Sequence, residues 1–139
     1  MPVLGRESRT AAFRDLADNP GDETVPGVAV VRLDGGLFFA TAEAVSERLR
    51  ELVDADPDVR LLVLDLEGAD FIDSQGSAAL GELADELEGG GIDLQLARVK
   101  PHVQELLRTD GILERLGENR VHATINGAIE AGAGDTLVV

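Results

Sequence analysis

Near the middle of the chain, Leu61-Leu62-Val63-Leu64-Asp65-Leu66 is apolar at every position but one. It lacks the every-second-residue polarity of a strand that faces water on one side. The run is far shorter than the ~20 apolar residues of a membrane-crossing helix. It therefore predicts a strand buried on both faces, the centre of a sheet covered by helices above and below. With helical patterns on either side of it, that segment suits an α/β architecture.

The flanks agree with this. Val45, Leu49, Leu52 and Val53 recur at i, i+4, i+7 and i+8, which predicts a helix to about Ala55, capped by Thr41 with Glu43 in its first turn. Pro57, among Asp54, Asp56 and Asp58, breaks it. Leu80, Leu83, Ala84 and Leu87 mark a second amphipathic helix that the glycines at 89 to 91 terminate. Ile92 to Ala97 reads as a further strand. Pro101 suits the first position of a third helix carrying Val103, Leu106 and Leu107, with Gly111 at its end and Ile112 to Leu116 as a short continuation. Val28 to Leu33 is β-branched and runs into Asp34-Gly35-Gly36, a hairpin-type turn that returns the chain antiparallel through Leu37-Phe38-Phe39. Thr124 to Glu130 suits a last helix, although Asn126-Gly127 suits a turn equally well.

Residues 1–27, with Pro2, Pro20 and Pro26, read as an irregular lead-in with one short helix near Thr10 to Leu16, and residues 132–139 as a loose tail. The fold expected is α/β: a four-to-five-strand, mainly parallel sheet with an N-terminal antiparallel hairpin and about four helices, joined by right-handed crossovers. With only four aromatic residues, all Phe, the core must be aliphatic.

A net charge of −15 on 139 residues repels a phosphate backbone, and the 12 Lys and Arg residues are spread along the chain, which excludes direct nucleic-acid binding. The absence of Cys removes disulfides, thiolate metal sites and cysteine nucleophiles together. Asp54-x-Asp56-x-Asp58 begins like a calcium loop, but Val59 stands where glycine is needed. His102 and His122 lack partners at metal-ligand spacing. No phosphate-binding glycine loop or nucleophile elbow appears, so the chain is read as a non-enzyme without a cofactor.

The most informative loop is Phe71-Ile72-Asp73-Ser74-Gln75-Gly76, between the central strand and the second helix. It puts Asp73 and Ser74 at a helix N-terminus, where unpaired N–H groups and the dipole favour a capping carboxylate or a bound anion. Two readings follow: a plain helix cap, or a functional site in which Ser74 is a phosphate acceptor or its loop an anion cradle. Arg98 and Lys100 follow the next strand, and loops leaving neighbouring parallel strands emerge at one edge. Asp73, Ser74, Gln75, Gly76, Arg98 and Lys100 are thus the candidate anion or nucleotide site, unless the two cations pair with local carboxylates.

Asp73-Ser74-Gln75-Gly76 resembles the Asp-Ser-x-Gly motif of anti-sigma-factor antagonists, in which the Ser is phosphorylated by a partner kinase; Ser74 is the matching position, and Gln75 replaces a second hydroxyl residue common in that family. Asp34-Gly35-Gly36-Leu37-Phe38-Phe39-Ala40-Thr41-Ala42-Glu43 is similar to the Gly-x-Leu-Phe-Phe-Ala-x-Ala-Glu stretch of SulP transporter tails, and the likeness continues through Val25-Pro26-Gly27-Val28 and Leu96-Ala97-Arg98-Val99-Lys100. It spans roughly residues 4 to 131. The resemblance identifies residues 28–131 as a STAS domain (sulfate transporter and anti-sigma-factor antagonist) of the SulP transporter branch. It implies a regulatory domain on the cytoplasmic side of the plasma membrane, docked to the membrane transport domain of the same polypeptide. GTP or another nucleotide and a regulatory protein are the further partners it implies, and a free-standing antagonist switched at Ser74 is the alternative. Phe38 and Phe39 on opposite faces of a strand would supply one core and one docking side chain.

Overall fold

The computed structural model describes residues 1–7, 12–37 and 39–137. The chain opens with an antiparallel ribbon of β1 (Leu4–Arg6) and β2 (Phe13–Asp15) and continues through β3 (Val28–Arg32), α1 (Phe39–Ala55), β4 (Leu61–Asp65) and α2 (Ser74–Gly89). There follow β5 (Asp93–Ala97), α3 (Pro101–Thr109), α4 (Ile112–Leu116), a 3₁₀ turn at Glu118–Arg120, β6 (Val121–His122) and α5 (Ile125–Leu137). The main sheet has the order β3-β4-β5-β6 and is parallel throughout. The α/β fold with a mainly parallel sheet and an antiparallel N-terminal hairpin is thus the one expected.

β4 lies inside the sheet and every residue of it is buried. Its side chains alternate between two cores. Leu62 and Leu64 face a large core with Val31, Leu94 and Leu96, closed by Leu49 of α1, Leu80, Leu83 and Leu87 of α2, and Val103 and Leu107 of α3. Leu61 and Val63 face a smaller core with Leu4, Val30, Ala97, Ile125, Ala128 and Ile129. Burial on both sides is why the run shows no polar alternation. The helical spacings read from the sequence coincide with the buried faces, and α1 ends at Ala55.

The hairpin is not where Asp34-Gly35-Gly36 suggests. After β3 the backbone keeps running alongside the β4 exit: Leu33 N–H donates to the Asp65 carbonyl (2.9 Å), Gly35 N–H to Gly68 (2.9 Å) and Leu37 N–H to Phe71 (2.9 Å), and Leu37 bridges Ile72 in parallel. The partners of this segment are thus distant in sequence, and Gly35 at φ 88 serves a bend within a parallel course. The antiparallel pair is β1–β2, inside the stretch read as a lead-in, where β2 also stands in place of part of the expected helix. Leu4 is buried, Val3 bridges Val31 and Arg32 N–H donates to the Pro2 carbonyl (3.0 Å), so the ribbon is packed on the β3 edge. α1 begins at Phe39, two residues before the expected cap, and the Thr41 hydroxyl donates to the Gly36 carbonyl (3.2 Å) from inside the helix. At the other end, the helix reading of 124–130 is the correct one: the Thr124 hydroxyl accepts from Gly127 N–H (2.9 Å), and α5 extends as far as Leu137, into the stretch read as a loose tail.

Candidate functional site

Parallel strands deliver their loops to one edge, and here the β4–α2 and β5–α3 loops meet. Asp73 sits in extended conformation (φ −98°, ψ 176°) just before α2; its carboxylate accepts the Gly76 N–H (2.7 Å) and its carbonyl the Ser77 N–H (2.9 Å). This is the capping arrangement expected of Asp. Ser74 and Gln75 form the exposed first turn of α2, at the positive end of its dipole. Gly76 is buried for a steric reason: a Cβ there would run into the Leu37 carbonyl and lie 3.2 Å from Ile72. The glycine lets the helix start lie directly on the 33–37 segment.

The two cations are engaged. Arg98 occupies the left-handed region (φ 54), rare for a side chain with a Cβ, and its N–H donates to the His122 carbonyl (2.9 Å). Its guanidinium grips Asp65 through Nε (3.0 Å) and Nη2 (2.5 Å), and Nη1 lies 2.5 Å from Glu67. Asp65 has no exposed side-chain surface and also accepts the Glu67 N–H (3.1 Å). The hydrogen bond to Asp65 raises the Arg98 pKa above its ordinary value. Lys100 pairs with Asp70, and His102 Nε2 lies 2.5 Å from the Asp70 carbonyl oxygen, where it must act as donor. The hydrogen bond from Lys100 holds the exposed Asp70 carboxyl below the usual carboxylate range.

The two loops meet, but through Arg98 and Lys100 bound to carboxylates at the end of β4 and in the loop after it. An incoming anion at this edge has to compete with Asp65, Glu67 and Asp70. Of the residues read as a docking pair, Phe39 is the first residue of α1 rather than part of a strand, and Phe38 lies outside the described residues. Sequence reasoning missed Asp65 as the partner of Arg98, although a charged residue in a doubly buried strand demands a counter-ion. It also passed over Phe71, which is 51% exposed beside the cap. His122 bonds Gln95 (2.7 Å), and no group of metal-ligating side chains occurs among the described residues. Nor, among them, is any helix long and apolar enough to cross a membrane.

Comparison with known proteins accords with this architecture. The family model of the STAS domain matches residues 19–128. A probable sulfate transporter of Mycobacterium tuberculosis is 37% identical over 130 residues, covering 93% of this chain but only 23% of the transporter. The STAS domain of a SulP transporter from Vibrio cholerae superposes with a TM-score of 0.65 at 28% identity, covering 87% of this chain and 91% of that domain. The murine anion transporter Slc26a9, in its inward-facing state, shares the fold with a TM-score of 0.85 at 22% identity, covering 92% of this chain and 21% of the transporter. On the family match, which spans most of its length, the chain belongs to the STAS domain family.

Proposed function

We propose that this chain acts as the regulatory, non-catalytic STAS unit of a SulP-type sulfate or anion transporter, on the cytoplasmic side of the membrane, docking on the transport domain and modulating it. The observation that carries this reading is the lopsided coverage of the mycobacterial relative: nearly all of this chain aligns with less than a quarter of a sulfate transporter. The net charge of −15 adds a physical constraint, since it opposes contact with anionic lipid and favours docking through protein surfaces. Within the unit, the edge formed by Asp73, Ser74, Gln75 and Gly76 with Arg98 and Lys100 is the proposed place for a phosphate or guanine nucleotide. Binding there would be weak and strongest at low salt, because the cations are already shared with carboxylates.

The reading is tested by a chimera in which this chain replaces the aligned segment of the mycobacterial transporter. Sulfate uptake above that of the segment-deleted transporter is expected; uptake no better than the deletion refutes it. A second reading, a free-standing antagonist of an anti-sigma factor, is favoured by one feature, the exposure of Ser74 within Asp73-Ser74-Gln75-Gly76. Stoichiometric phosphorylation of Ser74 by an anti-sigma kinase, combined with failure of the chimera, would select it.

A further inference from the structure

A half-open apolar cavity lies at the opposite end of the sheet from the paired loops, lined from both cores. α5 packs over β4, β5 and β6, and so closely that a Cβ on Gly132 would stand 2.6 Å from the Leu61 methyls. The start of β3 falls to the short β1–β2 ribbon, which is pinned higher up, at Val31 and Arg32. Between them lies a cavity of about 380 Å³, walled by Leu4 and Phe13 of the ribbon, Val28 and Val30 of β3, Leu52 of α1 and Ile129 of α5. That volume falls within the ~300–1,000 Å³ of small-molecule sites. Apolar cavities of about 150 Å³ already take up benzene in preference to water. Glu23 and Asp56 are the ionisable residues along it, Glu23 half-exposed and paired with Arg6, and among the described residues no Lys, Arg or His lines it.

We propose that this cavity binds a compact, uncharged apolar molecule. The aliphatic wall supplies the driving force. The apolar wall offers an ionised carboxylate or phosphate on the same skeleton no partner for the hydration it would lose, which sets the ligand class. The proposal is independent of the transporter reading, since it rests on the lining of this cavity alone.

The test is methyl NMR on the 139-residue chain, titrated separately with toluene and with benzoate, a neutral and an anionic probe of similar size. Toluene is expected to shift the methyls of Leu4, Val28, Val30 and Ile129 saturably while leaving Leu64 and Leu96, in the other core, in place. Benzoate is expected to bind at least about tenfold more weakly. Filling the cavity from the strand by Val28→Phe, or from the loop by Val25→Phe, should abolish the Leu4 and Ile129 shifts with the Leu64 methyl unmoved. Absence of saturable shifts in the unaltered chain overturns the proposal, as do shifts that persist in a folded filled variant. Equal affinity for benzoate overturns the ligand class.

Discussion

Replacing Arg98 by alanine withdraws two donors from a carboxylate that has no exposed side-chain surface. Asp65 would keep only the Glu67 N–H among its side-chain partners described above, at 3.1 Å. Breaking a buried ion pair from one side costs about 3–5 kcal/mol. The Arg98 side chain is 34% exposed, so water can partly replace it, which puts the expected loss near the lower end, about 3 kcal/mol. The left-handed backbone is a separate cost that alanine does not relieve. Arg98→Gly loses the same ion pair but recovers about 1 kcal/mol, because glycine has no Cβ to strain. Urea unfolding followed by far-ultraviolet circular dichroism measures both. With a slope of ~1–3 kcal/mol/M, Arg98→Ala should unfold about 1–3 M earlier, and Arg98→Gly at an intermediate concentration. An Arg98→Ala variant within about 0.5 kcal/mol of the parent would show that Asp65 does not depend on this partner, and the account of the clamp would fail. If glycine were no better than alanine, the backbone strain at φ 54 would be the part to discard.

Three further outcomes follow from the same geometry. Leu64→Ala opens a cavity beneath α1 and α2 and should cost ~2–5 kcal/mol, whereas alanine at the exposed Glu88 should stay within ~0.5 kcal/mol; equal unfolding midpoints would contradict the placement of β4. Gly76→Ala, which in an ordinary helix interior would stabilise by ~1 kcal/mol, should destabilise here because its Cβ meets the Leu37 carbonyl, and a raised thermal midpoint would refute that contact. The Asp70 carboxyl, held low by Lys100, adds stability that is present above the ordinary carboxylate pKa and disappears as pH falls through the lowered value. Carboxyl NMR should find its midpoint below the ordinary range, moving up in Lys100→Gln and at high salt, and a midpoint unaffected by either change would rule the pairing out.

What the residues alone determined were the elements whose signal is local. The two-sided burial of Leu61 to Leu66 follows from an apolar run without alternation, and α1, α2 and α3 follow from spacings that place Leu49, Leu80, Leu83 and Leu107 on single faces. The Asp73 cap was legible for the same reason, since its acceptor and the Gly76 donor lie three residues apart. Whatever depends on a distant partner was not legible. The Asp34-Gly35-Gly36 turn looks like a hairpin because a turn's chemistry is local, while the hydrogen bonds that decide its course reach across to residues 65–71. The ribbon of 4–15 has strands of three residues, too short to show a period, and is held by the burial of Leu4 and the edge of β3. Arg98 looked like a ligand cation because its counter-ion lies 33 residues away. Only the parallel register, which sets Asp65 beside Ala97, brings that carboxylate to the next residue's guanidinium and turns a candidate anion contact into a clamp between two loops.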